Sequence, residues 1–579
     1  MMGDVGVGRT GADSRSGSMQ TRGRAFDGNG GGLPGVASVP HHSRTVRRLP
    51  IPSFLRDLGE PPDAPGTLLV AALSMAAAGL NPQVLSPSVS TVQAAIRDQP
   101  QVSSLVLLAT LAGAALLFAG GVLGDTDGRR RILLGALGAL FGANLLALAL
   151  SDGPLFVLSR VAGVAAAYAV LPFALAMVAT TYSGVVRATA IGLVYAAYGA
   201  GTAAAPVLMT ILGPTGPWWP GFLVATIISG IAFWRARPRA PNLPAIARDD
   251  RSYVVSTAVW AFAIVVITAG IVDIGNRAGS PVRLGLIGLG VVLLAGYWVW
   301  DRRRLRARVR AQHVARRPVT VAVAVGVIIG FAQAAPLFQL PLFLHVVLGY
   351  GVIVASLAIA PFVIALVIAG PVAGWLLTRF RPRTLIAGGL AAVGLGNVIT
   401  AALLARDTAY IQLVAPLVLI GAGFVIATTV RTAIIFASVS RGLPATAAAL
   451  NEASILVGSR IGLAALTALI TQRSLDLYAA SLGPLDPAAR ESAIGAFRDL
   501  LVAIGSPVIS QVIGAVDRTD LAAYGAAFIQ ASQESLFGTG VVALVAVPIA
   551  WLALGRRDPL TTVWDHAEER TEAATSSAV

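Results

Sequence analysis

The chain has 579 residues, of which 56% are hydrophobic and only 12% charged, whereas a soluble domain carries about 25% charged residues; with a mean hydropathy of +0.76 it is a membrane protein. The net charge of +15 would suggest nucleic acid if the arginines lined one face, but they fall between hydrophobic runs, as arginines of cytoplasmic loops do, so no nucleic-acid partner is expected. No cysteine is present, the five histidines show no ligand spacing, and no glycine loop precedes a helix in the manner of a phosphate site, which leaves no metal and no cofactor to expect.

Residues 1–65 are rich in Gly, Ser and Arg and lack the apolar core of a signal peptide, which predicts a disordered cytoplasmic tail. A bilayer core about 30 Å thick needs about 20 apolar residues of helix. On that criterion the first half holds spans at 67–92, 104–123, 132–150, 154–180, 187–211 and 219–235. Two more follow at 253–272 and 283–300. The second half holds spans at 319–346, 353–377, 384–403, 411–437, 445–470 and 536–555. The expected fold is thus all-α and polytopic, with about fourteen transmembrane helices.

The domain reading has five parts: the tail 1–65, a six-helix bundle over 66–237, and an inserted helix pair with a basic cytoplasmic loop over 238–318. A second six-helix bundle covers 319–555 and carries an external segment at 472–535, and a cytoplasmic tail covers 556–579. Within the external segment, AARESAIGAFRDLLVAIG is amphipathic and predicts short helices on the outer surface.

Arginine sets the orientation. Arg44, Arg47, Arg48, Arg129 to Arg131, Arg187, the segment Arg235 to Arg251, the run DRRRLRARVRAQHVARR at 301–317, Arg379, Arg381, Arg383, Arg441, Arg556 and Arg557 share one side of the span pattern, whereas the links SDGP, GPTGP and GYG lie opposite. Both termini are therefore expected in the cytoplasm, with the protein in the cell membrane.

An internal repeat accompanies this pattern. GVLGDTDGRRRIL at 121–133 and GWLLTRFRPRTL at 374–385 each join an inward span to an outward one. Gly121, Leu123, Gly128 and Arg131 align with Gly374, Leu376, Arg381 and Thr384, and Arg383 stands at the place of Arg130. Only the first copy holds the aspartate, Asp125. Two halves with one loop in common are the parallel-repeat arrangement of many secondary transporters.

The first copy resembles the G-x-L-a-D-x-x-G-R-x-R signature of the major facilitator superfamily, and fourteen spans with a middle pair resemble its drug:proton antiporter branch. Two further runs are similar to family motifs. In RVAGVAAAYAVLP, Arg160 precedes Pro172 by twelve positions, with Gly163 in place of the usual glutamine. In the fifth span, Gly192, Gly201 and Pro206 keep the spacing of the antiporter motif, whose last glycines are replaced by Met209 and Thr210. In the first span Asn81 stands where the branch usually carries an acid.

The resemblance implies roles for these residues. Asp125 would accept hydrogen bonds at the N-terminus of the helix beginning near Pro444, where the macrodipole favours an anion, and so latch the cytoplasmic gate. Gly121, Gly128, Arg129, Arg131, Gly192, Gly201 and Pro206 belong to the same gating machinery, with Arg129 or Arg131 pairing with Asp125 or lipid phosphate. Arg160 would be a cavity residue that couples protonation to substrate.

Ionisable groups at membrane depth are functional candidates by default. Arg460 stands mid-span and needs an internal partner. Glu452, eight residues earlier, is about 12 Å away along the helix at 1.5 Å per residue, too far for a direct pair, so each faces the cavity or another helix. Glu452 is the candidate proton carrier. Arg431, within two turns of the inner end, is expected to snorkel to the interface. Cavity lining is assigned to Asn81, Tyr168, Tyr195, Tyr198, Phe331, Gln333 and Phe338, and His345 is read as an interfacial histidine or a proton relay.

The functional expectation is a secondary active transporter that exports a hydrophobic or amphiphilic small molecule by proton antiport and alternating access, its partners being that substrate, protons and the lipid bilayer. Alternatives are a lipid or metabolite transporter or uniporter of the same fold, a polytopic membrane enzyme, and a transport-dead sensor or scaffold. The acids an enzyme would cluster, Asp486, Glu491, Asp499, Asp517 and Asp520, are scattered. The orientation is tested on the natural zero-cysteine background. A single cysteine at Ser492 should react with an impermeant thiol reagent from outside intact cells and one at Ser18 should not; the reverse labelling overturns the topology.

Overall fold

The computed structural model describes residues 64–95, 128–150, 153–182, 184–212, 219–239, 316–438, 444–484, 486–503 and 518–555, with isolated positions within 113–124 and 263–296. Most of the second span, most of the inserted pair, the basic run 301–315, both tails and Asp125 lie outside the described residues.

Thirteen helices are present among the described residues. In the first half they are α1 (Ala64–Ala95), α2 (Arg129–Ala149), α3 (Gly153–Thr181), α4 (Gly184–Leu212) and α5 (Pro220–Arg239). In the second they are α6 (Arg316–Val346), α7 (Val352–Leu357), α8 (Ala360–Leu376), α9 (Pro382–Leu403), α10 (Tyr410–Ser438), α11 (Pro444–Ser481), α12 (Pro487–Ala503) and α13 (Arg518–Leu554). Seven of them are long and apolar enough to cross a membrane by length and composition, and α8 is a shorter apolar helix. Helix is the form expected in hydrocarbon, where each backbone N–H and C=O must be paired within its own segment.

Three of the expected spans change. The span expected at 353–377 is split into α7 and α8 at Ala358 and Ile359, because Pro361 occupies the first turn of α8, where a missing N–H is tolerated but a continuous ladder is not. The spans expected at 445–470 and 536–555 extend far into the segment 472–535. At 1.5 Å per residue α11 and α13 measure about 57 and 55 Å, nearly twice the hydrocarbon thickness. Hydropathy stops where polar residues begin, but a helix continues wherever packing supports it.

That support is visible. Arg473 on α11 grips Glu534 on α13 through two bonds, Nε to Oε2 at 2.6 Å and a second guanidinium nitrogen to Oε1 at 3.2 Å. Beyond that pair, Tyr478, Phe497 and Tyr524 form an aromatic cluster with ring centroids 5.1, 4.6 and 4.4 Å apart, and this holds the amphipathic helix α12 between the two long ones.

Helices α1 to α5 pack among themselves, as do α6 and α9 to α13, while α8 packs on both α4 and α10. The repeat seen in the sequence recurs in three dimensions. Arg130 donates to the carbonyl of Arg237 in the last turn of α5 at 2.6 Å, and Arg383 to the carbonyl of Gly555 just past α13 at 3.2 Å. Each arginine satisfies an orphan carbonyl at the negative end of the last helix of its own half. The same register pairs Asn144 on α2 with Asn397 on α9, both fully buried. Gly128 supplies the turn into α2 with φ of 98°, a conformation that disfavours any side chain with a Cβ.

The two halves meet closely where α4 crosses α8. A Cβ at Gly192 would fall on the Gly370 carbonyl, and one at Gly370 on the Gly192 carbonyl; two glycines here let the backbones touch. The aromatic support of α12 predicts a local instability. Tyr478→Ala should cost about 3 kcal/mol, read as roughly hundredfold faster amide hydrogen exchange in α12 while α9 and α10 keep their protection; unchanged exchange would show that the cluster does not hold the helix.

Candidate functional site

The polar groups buried between the helices form two clusters. The first lies inside the first half. Arg160 on α3 is 0% exposed and reaches Asn81 on α1 and Asn144 on α2. Its guanidinium donates to Asn144 Oδ1 at 3.1 Å, to Asn81 Oδ1 at 3.0 Å and to the Asn81 carbonyl at 3.3 Å. Asn81 Nδ2 donates to Asn144 Oδ1 at 2.7 Å, and Asn144 Nδ2 lies 3.5 Å from Ser229 Oγ on α5. The Phe222 ring sits 4.7 Å from the guanidinium carbon, within the range of a cation–π contact.

Arg160, expected as a cavity residue, is enclosed by these contacts. All these partners belong to α1, α2, α3 and α5, so the side chain points into the interior of its own bundle. Asn81 takes the acceptor role an acid would have had, and the charge is held by amide dipoles and a ring without a carboxylate among these contacts. A guanidinium offers five donors in a fixed fork, and two asparagines on separate helices fit that fork.

The second cluster lies on the seam between the halves. Glu452 on α11 faces Tyr195 on α4: the phenol donates to Oε1 at 2.5 Å. Asn451 Nδ2 donates to the same carboxylate oxygen at 2.9 Å and to the Tyr195 oxygen at 2.8 Å. Thr432 on α10 donates to Asn451 Oδ1 at 3.0 Å, with its hydroxyl 3.3 Å from the Tyr195 oxygen. Four side chains from three helices thus share one set of hydrogen bonds across the two halves.

Arg431 stands behind this set and is also 0% exposed. It donates to Ser454 Oγ at 2.9 Å and to the Asn451 carbonyl at 3.0 Å, and its NH1 lies 3.5 Å from the Ala322 carbonyl. The snorkelling expected of it is wrong. The long side chain turns inward because α6 approaches at Gly326, where a Cβ would strike the guanidinium, and the acceptors on α11 and α6 replace water.

Farther along α11, Arg460 is half-buried and donates to Tyr168 on α3 at 3.4 Å, while its Nε has no hydrogen-bond partner. Tyr198 lies within electrostatic reach of Tyr168, Glu452 and Arg460. The seam therefore has two levels: a closed set at Glu452, then, about 12 Å on at 1.5 Å per residue, a guanidinium with donors to spare.

The remaining expected residues divide. Gly121 packs against Ala445 and Ala449 in the first turns of α11, which brings the end of the second span to the helix whose N-terminus was expected to meet Asp125. Gly201 packs against the Ala76 carbonyl of α1. Pro206 lies within α4, Arg129 is half-buried, and Arg131 is exposed. Phe331 and Gln333 are half-buried on α6, the Phe331 backbone passing close to Gly462 of α11. Phe338 is 36% exposed, and neither it nor Gln333 joins the seam cluster. His345 Nδ1 lies 2.7 Å from the Tyr350 carbonyl at the end of α6.

Sequence reasoning missed Asn144, Ser229, Thr432, Asn451 and Ser454. Their signal was a polar residue inside an apolar span, but uncharged polar residues are common there and only their meeting in space marks them. The Arg160 cage predicts that Asn144→Leu destabilises the protein by about 3 kcal/mol, since it removes an acceptor from a buried charge. A lower thermal midpoint in detergent measures this, and adding Asn81→Asp should recover most of the loss.

The chain belongs to the major facilitator superfamily, whose family model matches residues 68–463. It is 28% identical over 378 residues to EfpA of Mycobacterium tuberculosis, described as an uncharacterized MFS-type transporter, covering 62% of this chain and 68% of that one. It is 31% identical over 381 residues to the puromycin resistance protein pur8 of Streptomyces alboniger, covering 62% and 73%. Its fold matches a crystal structure of a double-tryptophan mutant of XylE with a TM-score of 0.54 at 12% identity, covering 86% of this chain and 97% of that one. The protein is therefore an integral membrane transporter of small molecules and not an enzyme.

Proposed function

We propose that this member of the major facilitator superfamily exports a hydrophobic or amphiphilic small molecule from the cytoplasm across the cell membrane in exchange for protons, by alternating access, with both termini cytoplasmic. The observation that carries the reading is the position of Glu452. Among the described residues it is the acid within the span lengths expected from hydropathy, and it lies on the seam that must open and close. Coupling requires a group that gains and loses a proton as access alternates, and a carboxyl at that seam meets the requirement. The similarity to a puromycin resistance protein supports export as the direction of transport.

On this reading Arg460, Tyr168 and Tyr198 line the substrate level above the closed set. Asp125 remains the proposed partner of the first turn of α11, where Gly121 already packs. Two asparagines hold Arg160 without an acid, which leaves Glu452 as the proton carrier.

Reconstitution into proteoliposomes with an imposed pH gradient tests the proposal, using a panel of amphiphiles that includes puromycin. In the parent the gradient should drive accumulation, and in Glu452→Gln exchange should persist while its response to the gradient is lost. Gradient-driven accumulation in the variant equal to the parent's would remove Glu452 from coupling.

A further inference from the structure

We infer that Tyr195, set by Asn451, reads the charge of Glu452 and latches the two halves together at the arginine-rich end only while that carboxylate is ionised. The inference rests on Glu452 as the proton carrier proposed above, and assigns to two residues outside that role the conversion of a proton into movement. Arg431 is the positioning residue behind them.

The donor and acceptor inventory sets the direction. Tyr195 has one hydrogen, and at 2.5 Å it is given to Glu452 Oε1. Asn451 Nδ2 has two, directed at Oε1 and at the Tyr195 oxygen. Thr432 has one, with the Thr428 carbonyl, Asn451 Oδ1 and the Tyr195 oxygen as its acceptors. Two donors therefore converge on one carboxylate oxygen. An ionised carboxylate is acceptor-only, and bonds to it are about twice as strong as neutral ones. A proton on Oε1 would face both donors, and a proton on Oε2 would turn both bonds into neutral ones. Either way, protonation weakens the set.

The location gives this chemistry a mechanical consequence. Tyr195 lies on α4 of the first half, whereas Glu452, Asn451 and Thr432 lie on α11 and α10 of the second. The neighbouring contacts that join the halves at the same end include the tight packing of Gly192 with Gly370, Thr189 with Gly374, and Gly121 with Ala445 and Ala449. The Tyr195 bonds belong to the part of the closed seam that a proton on Glu452 changes. Arg431 fixes the Asn451 backbone and Ser454, so the Asn451 amide is aimed before the Tyr195 hydroxyl arrives.

Among the described residues, the charged and titratable groups around Glu452 are few. They are Tyr195 and Tyr198 from α4, Arg431 from α10, and Arg460 on its own helix with Tyr168 from α3 beyond it. Within α6, the described ionisable groups lie at the two ends. No second described carboxylate competes for the proton. A proton reaching Glu452 from the far end would thus release the arginine-rich end, and its loss there would close the seam again.

The test uses the full chain, with spin labels on cysteines introduced at Arg235 and Arg381, exposed positions in the two halves at that end. Pulsed electron resonance then reads the distance between the halves without any substrate. In the parent a short distance should dominate at alkaline pH and a longer one should grow at acid pH. Tyr195→Phe, which keeps the ring and removes the hydroxyl, should shift the open-to-closed ratio on the order of tenfold at alkaline pH and flatten the pH response. Glu452→Gln should hold the acid distribution at both pH values and is the second variant should Tyr195→Phe fold poorly. A Tyr195→Phe distribution equal to the parent's at both pH values overturns the latch, even if Glu452→Gln has lost coupled exchange. A parent distribution unmoved by pH, with Tyr195→Phe open, overturns the proton reading and locates the failure in the proton role of Glu452.

Discussion

A charge inside hydrocarbon has no water to fall back on, so the protein itself must supply its partners. The two polar clusters buried between the helices follow from that demand. Arg160 and Arg431 are both wholly buried, and each is surrounded by oxygen acceptors from other helices. These contacts fix how the helices lie, because a guanidinium bonded to two neighbours sets their depth and rotation more strictly than apolar packing does.

The two halves use that demand differently. Each repeat bonds an arginine to the end of its own last helix and buries an asparagine in the helix that carries that arginine, α2 or α9, so the scaffold follows the internal symmetry. The buried charges break it. In the first half Arg160 is tied up inside its bundle and no acid joins its contacts. In the second, Arg431 backs a carboxylate turned toward the other half. One bundle locks its buried charge inside, and the other presents Glu452 to the seam.

Beyond the membrane-crossing lengths, α11 and α13 show how packing overrides hydropathy. Their outer portions are too polar to read as spans, yet they stay helical because the Arg473–Glu534 pair and the Tyr478, Phe497 and Tyr524 rings bind them to each other and to α12.

Much of this was legible in the residues. Apolar runs of about 20 residues determine helices in a bilayer, and α2, α3, α9 and α10 begin and end close to where hydropathy placed them. The repeat loop, with Gly121 and Gly374 and Arg130 and Arg383 in register, pointed to the family that the family model then matched. Glu452 was conspicuous as an acid among apolar neighbours. Which partner each buried group takes was decided only by tertiary structure: Arg160 turned into its own bundle, Arg431 inward and not toward the interface, and Glu452 toward Tyr195, 257 positions away in the chain. The physical reason is that hydrophobicity acts locally and leaves a period in the sequence, whereas a hydrogen bond between helices depends on their mutual rotation and depth, which no single run of residues records.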